Sequence, residues 1–347
     1  MKRLLVLALV VACGGPLPHE RRQTRAALQQ RLRSFDTPGL VVGEFALAEK
    51  AVLDGDTIKL KGMDTTLRLL AVDAEETFKY DKERRAYEVG WEHYKKTMRG
   101  DSSRPVKYAT PVGDAGKDWA KQFFAGVKTV VLERDHPKEI RDFFNRYLGY
   151  LIVIKDGKRV NFNVELVRAG YSPYFTKYGQ SRRFHDEFVA AEAEARAAGR
   201  GIWDPTRQHY DDYDERKRWW DARGAFIARF EAEAEGKDNY VPLTNWDALT
   251  RLEALVGKEA VVLGSVGSVR RGDKGPTRVM LAQKAGQDFP LIFFDKDLLG
   301  ASGIEKHAGE YIAVKGFITK YTDEKRGRYQ LQMVVNLPGQ ILGASGP

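Results

Sequence analysis

Apolar and polar positions alternate in short runs over residues 41–45, 51–53, 57–60 and 67–72, and this period of two predicts half-buried strands. Asp54-Gly55 and Gly62-Met63-Asp64 fall between the runs and supply turns. The rhythm breaks over residues 78–112, where charged and aromatic residues mix around a Gly-Asp-Ser-Ser-Arg-Pro loop. Residues 116–126 take helical spacing, with Trp119, Phe123 and Phe124 on one face, which reads as a core stripe. Strand patterns return at 127–133 and 147–154. Residues 161–168 and 184–198 read as helices, the second stopped at Gly199. Short strands followed by helices describe a small closed barrel capped by helices.

Residues 210–235 form a charged helical connector that carries Trp219 and Trp220. Beyond it, strands are predicted at 260–269, 278–282, 290–294, 311–319 and 329–335, with a short helix or loop near 304–307. Five strands interrupted between the third and the fourth follow the order of an OB-fold. The predicted fold class is mainly β (α+β), with two β-barrels joined by a helix.

Composition adds that the cores can be real. Of 347 residues, 43% are apolar and 11% aromatic, so nothing reads as disorder. The formal net charge of +9 suits a polyanion such as nucleic acid, an anionic membrane surface, or simply a basic soluble protein. Lys2 and Arg3 precede a short apolar stretch at 4–11, which is too short for a permanent span and reads as a signal peptide. It closes on Val10-Val11-Ala12-Cys13, similar to a bacterial lipobox, so residues 1–12 are expected to be removed and Cys13 lipidated. The alternative is ordinary secretion with cleavage near Ala12. Cys13 is the single cysteine, which excludes a disulfide within these residues and a cysteine-based metal site. Residues 13–40 then form a membrane-proximal spacer.

Four segments bear candidate chemistry, and they occur in order: residues 52–60 around Asp54-Gly55-Asp56, residues 67–77 from Leu67-Arg68 through Asp73-Ala74-Glu75-Glu76, residues 142–150 around Arg146, and residues 160–170 with Asn163 and Gly170. Asp-Gly-Asp alone is a common turn, and Arg68 alone could be a surface strand residue. Taken together, the four segments resemble the staphylococcal nuclease family over about residues 41–203, with one insertion. The resemblance implies a staphylococcal nuclease-type OB barrel with capping helices at 41–205, with the insertion at 78–112. A helical connector at 206–236 and a second, OB-fold-like barrel at 237–347 complete the organisation.

The chemistry that the resemblance implies is phosphodiester hydrolysis. It assigns Asp56, Asp73 and the backbone carbonyl of Ala74 to a Ca2+ site, and two carboxylates do favour a hard cation over zinc. It makes Glu76 the general base, or the group that orients the attacking water, and sets Arg68 and Arg146 as planar forks on the phosphate. Cleavage by analogy leaves 3′-phosphate ends. Two departures stand out. Ala74-Glu75 replaces the family's usual Thr-Pro, which makes the extra charge of Glu75 a candidate to tighten or shift the metal. Phe144 replaces a tyrosine beside the phosphate clamp. Tyr174 and Tyr178 are candidates to stack a base and Lys177 to contact a phosphate.

The function expected from the sequence is a calcium-dependent nuclease of DNA and/or RNA, exported to the cell envelope and held at the membrane through lipidated Cys13. The alternative is a catalytically silent envelope lipoprotein that binds nucleic acid or glycan. No obligate protein partner is indicated. In the second barrel, Arg270, Arg278, Lys315 and Lys320 interleave with Phe293, Phe294, Phe317 and Tyr321, a mixture that single-strand binding would need. OB-folds also bind oligosaccharides and proteins, so its ligand stays open.

Overall fold

The computed structural model describes residues 40–347 except 103, 140–141, 143–145, 273–274, 283–287, 324–326 and 347. The expected signal peptide, Cys13, the spacer to residue 39, and Phe144 lie outside the described residues.

The first barrel is built from β1 (Val41–Asp54), β2 (Thr57–Leu60), β3 (Leu67–Leu69), β4 (Thr129–Glu133) and β5 (Tyr147–Lys155). The strands pair in the order β3-β2-β1-β4-β5, and a parallel β3–β5 pairing closes the ring. The hairpin strand β6 (Lys158–Asn161) extends β5. The sequence suggested two strands at 41–53, but β1 is one long strand that serves both sides of the barrel. Its first part pairs with β4 and its last part with β2, and a register shift lies between Leu47 and Val52, where Lys50 takes a left-handed φ of 53°. A bulge of this kind lets one strand turn a barrel corner.

Residues 78–112, the expected insertion, are largely helical. They fold as α1 (Asp81–Glu88) and α2 (Trp91–Arg99) and lead into α3 (Pro111–Phe123), whose Thr110 cap accepts from the Gly113 amide at 2.9 Å. An aromatic cluster of Tyr94, Tyr108, Tyr210 and Tyr213 packs this insertion onto the start of the connector. Two further helices, α4 (Phe162–Arg168) and α5 (His185–Ala197), cap the barrel. Asn163, fully buried at the start of α4, donates to the carbonyls of Leu70 and Gly149 and accepts from the Leu151 amide. One amide side chain thus pins the helix to the ends of β3 and β5.

The second barrel comprises β8 (Glu259–Arg270), β9 (Thr277–Ala282), β10 (Phe289–Phe293), β11 (Tyr311–Asp323) and β12 (Arg328–Val334). It repeats the plan of the first barrel: third strand parallel to fifth, first antiparallel to fourth. Short strands β7 (Tyr240–Pro242) and β13 (Ile341–Ala344) extend its sheet. The helix α7 (Lys296–Ser302), followed by the 3-10 turn Ile304–His307, stands between third and fourth strands. The protein therefore has two five-strand mixed barrels with helices between them, α+β and mainly β.

The connector α6 (Tyr213–Ala234) buries residues at helical spacing and serves both barrels. Trp220 meets Phe175 of the first barrel edge-on at 4.8 Å. Phe226, Ile227 and Phe230 pack with Val261, Leu263 and Tyr311 of the second. Among the described residues, no helix is long and apolar enough to cross a membrane.

Candidate active site

The β1–β2 hairpin, the segment after β3 and the first turn of α3 meet at one rim of the first barrel. Asp54 pairs with Thr57, so β1 and β2 are joined by a two-residue loop that carries Asp56. The segment after β3 carries Asp73, Ala74, Glu75 and Glu76, and it is entered through Ala71 with a left-handed φ of 61°. Backbone closeness explains two glycines here. A Cβ on Gly55 would lie 2.7 Å from the Cβ of Ala74, and a Cβ on Gly113 in α3 would lie 2.1 Å from the Glu76 carbonyl oxygen. The 73–76 loop is clamped between the hairpin and the first turn of α3.

Arg68 ties the two aspartates together. Its Nη1 pairs with Asp56 Oδ2, and its Nη2 donates to Asp73 Oδ1 at 2.7 Å and to the Val72 carbonyl at 3.1 Å. Asp56 also accepts from the Ala74 amide at 3.1 Å, which folds the loop back onto the hairpin. The Asp73 amide is held by Ser172 Oγ at 2.8 Å, and Phe175 N donates to the Ala71 carbonyl. Burial alone would raise the Asp73 carboxyl, but Lys107 and Arg68 outweigh it and hold that carboxyl below the ordinary carboxylate range.

Sequence reasoning missed two cations of this centre. Lys107, from the insertion, reaches Asp73 Oδ1 at 2.6 Å. Lys79 bridges Asp54 at 3.2 Å and Glu76 at 3.4 Å. Burial opposes the charge of Lys79, yet Asp54 and Glu76 hold its amine above the ordinary value. Lys79 was detectable as an i,i+3 partner of Glu76, whereas Lys107 belongs to no motif. Two networks lie here: Asp56 and Asp73 are balanced by Arg68 and Lys107, whereas Asp54 and Glu76 share the one lysine, Lys79, and keep one negative charge in surplus.

An all-oxygen donor set of two aspartates and the Ala74 carbonyl suits a hard divalent cation, which would compete with Arg68 and Lys107 for those carboxylates. Among the described residues, no three His, Cys, Asp or Glu side chains cluster to hold a metal, so the side-chain share is limited to the two aspartates. Glu75 is not part of it. Its carboxylate points behind the loop, where it accepts from Thr110 Oγ1, from the Tyr210 amide at 2.7 Å and from the Tyr213 hydroxyl at 2.8 Å. The expectation that its charge would tighten or shift a metal is corrected by that orientation. Burial pushes the Glu75 carboxyl up, against hydrogen bonds that favour its ionised form.

Arg146 stands just before β5. Leu148 is the register partner of Arg68, and Arg146 lies two residues earlier, just ahead of the strand. Its Nε and Nη2 pair with Asp142 at 2.8 and 2.6 Å. Tyr178 is 62% exposed, edge-on to Phe175, and Lys177 Nζ lies 4.7 Å from the Trp219 ring centroid. Tyr174 is placed otherwise than expected. It is 3% exposed, with its ring stacked on Phe188 at 5.0 Å and its hydroxyl accepting from the Ser181 amide. A ring held in the core this way cannot stack a base, so of the two expected stacking tyrosines only Tyr178 is open to solvent.

Residues 66–205 match the family described as Staphylococcal nuclease homologue. That span takes in Arg68, Asp73, Ala74, Glu76, Arg146 and Lys177, while Asp56 lies ahead of it. A protein of Methanocaldococcus jannaschii, described as uncharacterized, is 30% identical over 154 residues, which cover 44% of this chain and 68% of that protein.

Proposed function

The chain belongs to the staphylococcal nuclease homologue family, and we propose that its first barrel is a calcium-dependent nuclease that hydrolyses phosphodiester bonds of DNA or RNA and leaves 3′-phosphate ends. The observation that carries the reading is the joining of Asp56, Asp73 and Arg68 in one largely buried cluster, with Glu76 three residues beyond Asp73 on the same loop. A barrel that merely bound nucleic acid would have no need to bury two aspartates around one arginine.

Nucleases of this family typically use Ca2+. Asp56, Asp73 and the Ala74 carbonyl would hold it, and when bound it supplies positive charge against the phosphate oxygens. Arg68 and Arg146 carry two-pronged guanidinium groups that pair with Asp56 and Asp73 and with Asp142, and the non-bridging oxygens of a phosphate, where charge grows in the transition state, would draw those prongs over. Glu76, with its side chain 38% exposed, orients a water and takes its proton at the carboxylate. Lys177 and Tyr178 grip the strand beside the cleaved bond. Export and membrane attachment through Cys13 belong to the same proposal and rest on the amino-terminal sequence pattern.

Digestion of plasmid and single-stranded substrates by purified residues 14–347 tests the reading. Cleavage with calcium that stops in excess chelator is the expected result. Retained binding with no cleavage under any divalent cation would leave a silent binding protein as the better description. Intact-mass measurement of the protein made in a bacterium should show a lipid on Cys13, and an unmodified amino terminus would remove the anchor.

A further inference from the structure

The 73–76 loop presents its functional groups on one side and is attached on the other, and the attachment is made by a residue outside the chemistry. Glu75 is 1% exposed. Its three donors come from two places far along the chain: Thr110 at the end of the insertion, and Tyr210 with Tyr213 at the start of the connector. Neighbouring backbone joins the same arrangement. Thr110 N donates to the Glu76 carbonyl at 3.0 Å, Glu76 forms a parallel bridge with Ala109, and Gly113 leaves only the room of a hydrogen atom above Glu76. Tyr213 opens the helix whose later turns carry Trp219 and Arg223, both bound to Glu310 of the second barrel.

We propose that Glu75 is a positioning residue, whose buried carboxylate ties the loop bearing Asp73, Ala74 and Glu76 to the insertion and to the connector, and so sets the reach of that loop toward a phosphate. It touches neither substrate nor reacting atoms. Without it, the Tyr213 hydroxyl and the Tyr210 amide lose a buried acceptor, and the loop keeps its ties to Ser172, Asp56, Arg68, Lys107 and the Thr110 amide but none to the connector. A displacement of about 1 Å at such a loop costs on the order of 10²-fold in rate.

The activity arm of this inference rests on the nuclease reading, so its test has a second arm that does not. In the full chain, Glu75→Ala should lower kcat by about 10²-fold with KM within about twofold, and Tyr213→Phe by about tenfold. Glu75→Gln should recover most of the rate, because its carbonyl oxygen still accepts from Tyr210 and Tyr213 while the Thr110 hydroxyl turns to accept from the amide. Amide hydrogen exchange over residues 72–77 should quicken in Glu75→Ala and Tyr213→Phe, with the strands of the second barrel unchanged. Wild-type protein that cleaves nothing would end the nuclease reading, yet the exchange arm would still decide the tether. The inference is overturned if folded Tyr213→Phe keeps wild-type exchange over 72–77, or if either variant loses rate only in proportion to global stability.

Discussion

The two barrels share one strand plan and differ in what they bury. The second surrounds an apolar core in which Val262, Leu281, Phe289, Leu291, Ile312 and Met333 are almost wholly enclosed. Among its described residues the one buried charge is Glu310, which faces the connector and not the barrel mouth. The first barrel buries Asp56, Asp73 and Glu75 within one loop system at its rim. Burying carboxylates costs stability unless each is paired. The difference teaches that one strand plan accommodates both arrangements: the first barrel sets paired carboxylates at its rim, whereas the second, among its described residues, keeps its single buried acid for the contact with the connector.

That contrast breaks most visibly at Glu310. It accepts from Trp219 Nε1 at 2.7 Å, from Ser345 Oγ at 2.9 Å and from Arg223 Nη1 at 3.1 Å, and the Arg223 side chain is 2% exposed. Glu310→Ala leaves that guanidinium buried without its acid and should cost about 3–5 kcal/mol in denaturant unfolding. A double change, Arg223→Met with Glu310→Leu, should cost much less, because it removes both charges together. Equal losses in the single and double variants would show that packing, and not the ion pair, docks the barrels.

At the rim of the first barrel the effect should appear in rate. Arg68→Ala and Arg146→Ala should each lower kcat by about 10²-fold or more, as for loss of one transition-state donor. Arg68→Lys keeps a charge between Asp56 and Asp73 but gives up the fork, so it should recover stability well and rate poorly. Near-wild-type turnover in Arg146→Lys would remove Arg146 from the site.

How much of this was legible follows the distance over which each feature acts. Strands, caps and turns are set by neighbours within a few residues, so most strands of both barrels, the connector and the α5 stop at Gly199 could be read. The bend in β1 could not, because its bulge depends on two partner strands. That Asp56, Arg68 and Asp73 come together was legible because motif order places them, even though nothing local says that they touch. Lys107 and Glu75 were not, since their partners lie 34 residues away in one case and 135 and 138 in the other. Tyr174 was read as a surface aromatic because its spacing carries no sign of Phe188, which covers it.

A smaller effect separates the barrels at their surfaces. On β11, Phe317 is 60% and Tyr321 50% exposed, on the same strand face, whereas Phe293 proves to be core. Lys315 and Lys320 beside them are paired with Glu259 and Glu253, so this face offers stacking more than charge. Each stacked base is worth about 1–3 kcal/mol by alanine substitution. Phe317→Ala with Tyr321→Ala should therefore raise KM on long single strands about tenfold with kcat unchanged, and leave short oligonucleotides alone. An unchanged KM on long strands would turn attention to a glycan or protein ligand for the second barrel.

The smallest effect should come from Lys177, where the two regions meet. Its amine lies over Trp219 of the connector, and its carbonyl accepts from Arg223 Nε at 3.1 Å. Burial lowers its affinity for a proton most, and repulsion from Arg223 and Lys107 lowers it further. Asp73 and Glu310 pull the other way, and the result is a value of about 8 where an ordinary lysine has 10.5. The sign follows from the depressed value: the folded protein binds fewer protons than the unfolded chain between those two values, so this group favours folding fully above 10.5 and loses that contribution as pH falls through about 8. Substrate binding runs in the opposite sense, because a phosphate needs the charged amine, which is present below about pH 8 and lost above it. The profile of kcat/KM, which reports the free enzyme, should thus bend downward near pH 8 by a few-fold. Lys177→Arg should flatten that limb, since a guanidinium stays charged throughout. Lys177→Met should lower kcat/KM at pH 7 and erase the bend, while raising stability at pH 7 more than at pH 10. A limb that persists unchanged in Lys177→Met would assign it to another group and leave Lys177 a packing residue beneath Trp219.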